Sequence, residues 1–558
     1  MQNASSKGVL VLGALFFLSL PLLVSADVVG DSQRFFIDSS YDELKRKELD
    51  ATLRVANANV YFYVENNWWQ ELSFPDQQAT TQALIALGQE FEQKIYPSLT
   101  QAFGSEWKPG IDNKDSITVL FHLMRQDAGG YTNYGDEYPR AQNLQSNERE
   151  MVYLNLRHLQ EPLVKSYLAH ELVHLITFNQ KERPFTVQEE IWLNEARAEY
   201  APTLLAYDGA SIDSNIKRRI QNFVGQPGDS LTEWNNSPAD YGAVHMFVQY
   251  LVDQYGIQLL FDSLKSSKAG IASIEEALQK GKFTETFEDV FLNWVAALFL
   301  NDCSYGIRLC YHNPHVVNFR VIPQANFLPS IGNSTLTINS VTKDWAGNWL
   351  KVVGGKDVVD IQFQGNTGGK FKVLYLLENA DRRFSLNEMA LNQEGKGGIV
   401  IQDFNTKNRS LILIPISRAA RVNLDEPHAE RPFSFTISTA ERTLQEDQAL
   451  LAELLAKIEL LKAEIAKLQA QLIFPLQNEQ KCKAFSQDLF FGMRNNEGVR
   501  CLQQFLKVSV TGNFFTLTSQ AVVRFQEKYA QEILAPIGRS KGTGYVGSLT
   551  RQKMNQLF

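Results

Sequence analysis

The stretch Tyr167-Leu168-Ala169-His170-Glu171-Leu172-Val173-His174-Leu175-Ile176 decides how the chain is read. It holds H-E-x-x-H among otherwise uncharged residues, which suits a helix buried on most sides. Residues four apart share a helix face, so His170 and His174 can place two imidazoles on one metal ion. Glu171, one residue past the first ligand, would lie beside that ion, placed to take a proton from water there. With this chain's His and Glu content, such a motif arises by chance in roughly one sequence in a hundred. The competing reading is a pair of core histidines packed on a helix.

A catalytic zinc usually keeps three protein ligands and an open fourth position, so a carboxylate is wanted from another helix. The segment Gln188-Glu189-Glu190-Ile191-Trp192-Leu193-Asn194-Glu195-Ala196-Arg197-Ala198-Glu199-Tyr200 reads as that helix. Glu195 lies 21 positions beyond His174, room enough for a turn and a return helix. Glu199, one turn further on the same face, could accept a hydrogen bond from a ligand imidazole and fix its tautomer. The bland alternative makes Glu189, Glu190, Glu195 and Glu199 a solvated helix face.

H-E-L-V-H followed by W-L-N-E-x-x-A-E-Y resembles the gluzincin metallopeptidases, near the hyicolysin-like branch and other W-L-N-E-type families. The resemblance covers roughly residues 30 to 300. It implies zinc, with His170, His174 and Glu195 as ligands and Glu171 as general base. Two positions depart from the pattern: Ala196 stands where Gly is common, and Glu199 where some relatives carry Asp. The segment beginning Ala239-Asp240-Tyr241-Gly242-Ala243-Val244-His245 opens another apolar helix, similar to a Tyr-Gly-containing helix of related peptidases. Tyr241 and His245 are four apart, so both are expected to face the cleft, where either could donate to a developing oxyanion. Plain packing is the other role open to them.

Upstream, residues 42 to about 55 are charged and helix-prone, and Val60–Val64 reads as a buried strand. Apolar residues at helical spacing fill 77–103, with Pro97 expected to bend or end that helix. Residues 116–124 and Met151–Leu156 are strands, the second expected to be an edge that adds extended peptide to the sheet. His122 and His158 are read as structural histidines, not ligands.

The N-terminus carries one charge, Lys7, then an apolar run from Val9 to Leu23 and the small residues Val24-Ser25-Ala26. That is the pattern of a signal peptide cleaved near Ala26, which implies a secreted or cell-envelope protein; an uncleaved anchor is the alternative. The formal charge of −8 makes nucleic acid a poor partner. Four cysteines in two local groups, Cys303 with Cys310 and Cys482 with Cys501, suit two disulfides in an exported chain.

Beyond His312 the pattern changes. Residues 313–440 hold short alternating runs divided by Gly- and Asn-rich turns, the signature of an all-β sandwich. Leu444, Leu451, Ile458, Ile465 and Leu472 repeat every seven residues, with Leu454, Leu461 and Leu468 at the second apolar position and Asp447 breaking the first heptad. This is a coiled-coil helix over 441–474, about four heptads and roughly 40 Å long, open to self-association or to service as a spacer. After Pro475 the tail to residue 558 resembles a small three-helix peptidoglycan-binding domain. It does so through Gly498–Leu506, Val510-Thr511-Gly512 and Thr518–Gln526, with Gly544–Thr550 as a second copy of the turn. Thr511 and Phe515 depart from the usual Asp and Gly.

The expected architecture is therefore multidomain α+β: a signal peptide (1–26), a zincin-like metallopeptidase domain (27–312), the sandwich, the coiled coil and the peptidoglycan-binding-like domain (475–558). The expected activity is zinc-dependent hydrolysis of protein or peptide substrates, with peptidoglycan as a further ligand. A non-catalytic envelope scaffold and an endopeptidase of peptidoglycan cross-links are the rivals.

Overall fold

The computed structural model describes residues 27–557 except 210–213, 331, 367, 419–428, 441–450, 453–454, 467–481 and 483. The signal-peptide segment, Pro475 and much of the heptad run (Leu444, Asp447, Leu454, Leu468, Leu472) lie outside the described residues. The chain divides into two compact units, residues 1–443 and 444–558.

The first unit opens with strands β1 (Ser32–Phe36), β2 (Glu48–Ala56) and β3 (Val60–Glu65), then helices α1 (Asn66–Glu71), α2 (Phe74–Glu90) and α3 (Tyr96–Phe103). Strands β4 (Ile117–His122), β5 (Gly130–Thr132) and β6 (Met151–Asn155) follow, then α4 (Val164–Thr177), α5 (Arg183–Phe185) and α6 (Ile191–Leu204). The six strands form one sheet ordered β1-β2-β3-β4-β6-β5. Period-two alternation gives the sheet two buried faces. Val60, Phe62 and Val64 of β3 pack toward α2 and α4, while Tyr63 joins Leu49, Leu53 and Tyr153 on the other side. Two sequence expectations are corrected here. The charged segment 48–56 is strand β2, not helix, because Leu49, Ala51 and Leu53 alternate inward between outward polar residues. Strand β6 is not an edge: it lies between β4 and β5, so β5 holds the edge on that side and β1 the other. The helix expected over 77–103 is interrupted near Pro97, by a wide turn at Phe91–Ile95 that leaves Pro97 in the first turn of α3.

Helices α7 (Asn215–Gly225), α8 (Pro238–Tyr255), α9 (Ile257–Leu264), α10 (Gly270–Lys280) and α11 (Phe287–Leu300) complete the helical part. Both α8 and α11 begin with a capping box, Ser237 with Asp240 and Thr286 with Asp289. The Cys303–Cys310 disulfide closes the loop after α11.

Strands β7 (Gln324–Leu328), β8 (Ser334–Thr342), β9 (Leu350–Gly354), β10 (Asp357–Gly365), β11 (Phe371–Asn379), β12 (Phe384–Met389), β13 (Lys396–Phe404), β14 (Asn408–Ser417) and β15 (Arg431–Ala440) make one hydrogen-bonded network. The expected sandwich had two separate sheets. Here the strands are joined, and β9, β11 and β14 still meet β10, β13 and β15 across a single core that includes Val352, Phe363, Leu413 and Phe435. Strand β14 is buried on both faces. Leu411 and Leu413 point into that core, and Ile412, Ile414 and Ile416 pack into the core of the helical part. Trp345 and Trp349 enter the same helical core, and Trp349 Nε1 donates to the Val295 carbonyl at 3.0 Å. The boundary expected at residue 312 thus runs through a continuous hydrophobic core.

In the second unit, residues 455–466 are helical and Ile458, Leu461 and Ile465 are exposed on them. The tail packs helices Glu497–Phe505, Thr516–Lys528 and Ser548–Gln556 around Val499, Leu502, Val522 and Met554, with Cys482 bonded to Cys501. An internal repeat is visible in its polar anchors. Gln503 Oε1 accepts the Thr511 and Gly512 amides, and Gln526 Oε1 accepts those of Thr543 and Gly544.

Candidate metal centre

Helix α4 carries His170, Glu171 and His174. It is fixed by Leu168, Leu172, Val173 and Ile176, all inaccessible to solvent in the main core. Helix α6 packs against it and brings Glu195 and Glu199. A buried ion network sets the two helices in register. Glu189, just before α6, takes Lys181 from beyond α4 at 3.1 Å and Arg197 of α6 at 2.7 Å. The solvated acidic face considered for this segment is therefore absent: Glu189, Glu195 and Glu199 all turn inward.

The ring nitrogens converge on one carboxylate. His170 Nε2 lies 3.2 Å from Glu195 Oε2, and His174 Nε2 lies 3.7 Å from Glu195 Oε1. His170, His174 and Glu195 form a group whose ligand atoms all fall within 4.8 Å of one another. Glu195 Oε2 is buried with no aligned hydrogen-bond donor. Two imidazoles and a carboxylate with an orphaned oxygen between them make a donor set that fits zinc. The second such group, Cys303, Cys310 and His312, does not fit a metal, because its sulfurs are joined in the disulfide.

The far sides of both rings are held. His170 Nδ1 faces Glu199 Oε1 at 3.4 Å, and His174 Nδ1 lies 3.2 Å from Asn194 Oδ1. Asn194 donates in turn to Tyr134 OH at 2.9 Å. Glu199 is anchored by the Arg219 guanidinium, by Asn215 Nδ2 at 3.1 Å and by His245 Nδ1 at 3.1 Å. Burial opposes its charge, yet Arg219 and then His245 outweigh that and hold its carboxyl well below the usual range. Burial also disfavours a charged His170, but the facing carboxylate of Glu195, with the charges of Glu171 and Glu199, prevails and pushes it up to about 9.

Glu171 is buried, and Thr132 Oγ1 of edge strand β5 donates to its Oε2 at 2.9 Å. Burial raises its carboxyl above the ordinary value, partly offset by His170 and His174. A cavity of about 290 Å³ opens beside it, with Tyr41, Tyr167, Arg218 and Tyr241 on its wall. Tyr241 keeps its proton, since burial and the charge of Glu195 drive its phenol upward, and its hydroxyl donates to Asn236 Oδ1 at 3.2 Å on the same wall. His245 is corrected: it is wholly buried, bonded to Glu199 and near Gln249, and lines no part of this cavity. His122 is buried 3.5 Å from Asp42, and His158 bonds Glu161, both away from the centre.

Sequence reading assigned no role to Asn194, Thr132, Tyr41, Arg218 or Arg219. Asn194 lay within the W-L-N-E motif and carried a signal. The others come from strands, loops and a helix distant in sequence, and nothing local marks them.

No family model matches the chain. Over 241 residues it is 25% identical to the neutral metalloprotease ShpI of Staphylococcus hyicus, an alignment covering 38% of this chain and 51% of that protein. The chain thus spans about half the length of the curated relative it matches. Among solved structures, the pre-peptidase C-terminal domain of a Bacillus anthracis collagenase aligns at TM-score 0.15 and 9% identity, over 21% of this chain and 96% of that one. PliG of Aeromonas hydrophila, a periplasmic inhibitor of g-type lysozyme, aligns at TM-score 0.15 and 9% identity, over 21% and 98%. Scores this low assign no fold.

Proposed function

We propose that this chain is an exported, zinc-dependent metallopeptidase of zincin-like fold that hydrolyses peptide bonds. The observation that carries the reading is the convergence of His170, His174 and Glu195, with Glu171 beside them and their far-side nitrogens held by Glu199 and Asn194. The similarity to a neutral metalloprotease supports the same reaction class. His170, His174 and Glu195 would hold the zinc, which when bound acidifies water and polarises the scissile carbonyl.

The protein's own groups supply the rest. Glu171, steadied by Thr132, takes the proton of the attacking water and passes it to the leaving amine. Tyr241, on turning its hydroxyl from Asn236 Oδ1, donates toward the oxygen on which negative charge develops. Strand β5 presents its unpaired edge beside Glu171, so an extended peptide can add to it as a further strand. Among the described residues no helix is long and apolar enough to cross a membrane. The leader over residues 1–26 would direct export, and the C-terminal module would retain the enzyme at the cell envelope by binding peptidoglycan.

The test is metal content together with cleavage of casein and of purified cell wall, before and after chelation, with Glu171→Gln alongside. Stoichiometric zinc and chelator-sensitive cleavage of casein, lost in Glu171→Gln, are expected. Bound zinc with no cleavage of either substrate would leave a binding protein, and cleavage of wall alone would move the substrate to peptidoglycan cross-links.

A further inference from the structure

We propose that the cavity beside Glu171 receives a carboxylate of the substrate, with Arg218 as its cation, so that cleavage favours an acidic residue flanking the scissile bond. This deepens the peptidase reading and rests on it.

Three arginines reach the cavity wall, and their charges are not equivalent. Arg219 is neutralised by Glu199, which it holds through both guanidinium nitrogens facing it. Arg125 pairs with Asp127 at 3.0 Å. Arg218 has no carboxylate within ion-pair distance, 4.0 Å, among the described residues. Its two acceptors are neutral: Tyr167 OH at 2.9 Å and Asn215 Oδ1 at 2.9 Å. Its Nε is buried without an acceptor among the described residues.

A guanidinium has five N–H donors in a planar fork, and these contacts satisfy two of them. An apolar side chain in the cavity would cover the remaining donors without replacing water, and a cationic one would meet like charge. A carboxylate restores both charge balance and hydrogen bonding, and can do so through two parallel bonds. The acids on the same wall leave Arg218 available. Glu199 and Asp127 are committed to their own arginines, and Glu171 is held at the metal end by Thr132. Arg218 is also fixed relative to the reaction centre, because its partner Tyr167 lies one helical turn before His170 on α4. Gly129 packs so closely on the Tyr167 ring that a Cβ there would fall 2.5 Å from it, which keeps that ring in place.

The experiment uses the zinc-loaded mature protein and matched peptides varied among Glu, Gln, Leu and Lys at each position flanking the cleaved bond. At one position kcat/KM for Glu should exceed that for Gln by about tenfold or more, as a charge-assisted bond requires. Arg218→Met and Arg218→Gln should each bring that ratio within about twofold of unity, whatever their overall rate. Peptides carrying the carboxylate only at a free C-terminus, against amidated copies, separate a side-chain site from an end-binding one. Binding of the same peptides to the Glu171→Gln protein, read by fluorescence anisotropy, reports the preference without turnover. Absence of cleavage with preferential binding of Glu peptides would sink the peptidase reading and keep the pocket. Equal treatment of Glu and Gln in both assays, or a Glu preference surviving in a folded Arg218 variant, overturns the assignment.

Discussion

Nδ1 of His170 faces Oε1 of Glu199 across 3.4 Å, while Nε2 of the same ring points at Glu195. The ring is thereby presented in one orientation, and the acid behind it increases the basicity of the nitrogen left for metal. Glu199→Gln keeps the shape and removes the charge. Zinc affinity should fall by about 10–100-fold, measured by competition with a chromogenic chelator. Unchanged affinity would mean that Glu199 serves Arg219 and His245 alone.

The two motifs on α4 and α6 were legible because a helix converts spacing into a face, and ligand chemistry demands few residue types. What escaped lies where spacing carries no such code. Segment 48–56 looked helical because Glu48, Asp50 and Arg54 dominate its composition, whereas its alternation of Leu49, Ala51 and Leu53 was the stronger signal. His245 was placed in the cleft by its distance of four from Tyr241, but α8 is buried on most sides, so a shared face did not mean a shared cavity. Strand β5 has three residues and no periodicity to read, yet it supplies both a free sheet edge and Thr132.

Thr132 Oγ1 donates to the ionised form of the proposed base at 2.9 Å. Thr132→Val replaces the hydroxyl with a methyl group of similar size, removing a hydrogen bond to a charged group worth about 1.5–3 kcal/mol. Because Glu171 acts in the chemical step, kcat should drop by about tenfold while KM and zinc content stay close to those of the unaltered protein. A change confined to KM would place Thr132 in substrate binding instead.

The strand-rich segment after residue 312 shares its core with the helices before it. Trp345 packs at 5.0 Å and 5.3 Å from the rings of Phe287 and Phe291, and the Leu231 amide donates to its carbonyl at 2.9 Å. Ending the chain at residue 312 would expose these aromatic rings together with Val295. A fragment of residues 27–312 should lack a cooperative melt, whereas 27–440 should unfold in one transition. Trp349→Ala, in the full chain, should cost about 3–5 kcal/mol by urea titration. A sharp melt of the shorter fragment at the temperature of the longer one would show two independent domains.

Glu150 is buried at the start of β6, where its Oε1 accepts the Ile111 amide at 2.7 Å. Burial first, then the charges of Asp112 and Glu106, push its carboxyl up to about 7 against the pull of that amide. The native state therefore holds a proton that the unfolded chain releases near 4.5, the ordinary value for this group. Between those two pH values unfolding releases a proton, so stability falls as pH rises, and above about 7 the full penalty of the buried charge is present. Glu150→Gln imitates the protonated acid and keeps the oxygen for Ile111. It should match the parent at pH 4 to 5 and exceed it at pH 8 by about 3 kcal/mol, read from urea melts at each pH. Because the parent loses stability over that window and the variant does not, the difference should widen steadily with pH. A difference independent of pH would show that Glu150 carries its charge in the folded protein at no cost, compensated by groups other than the Ile111 amide.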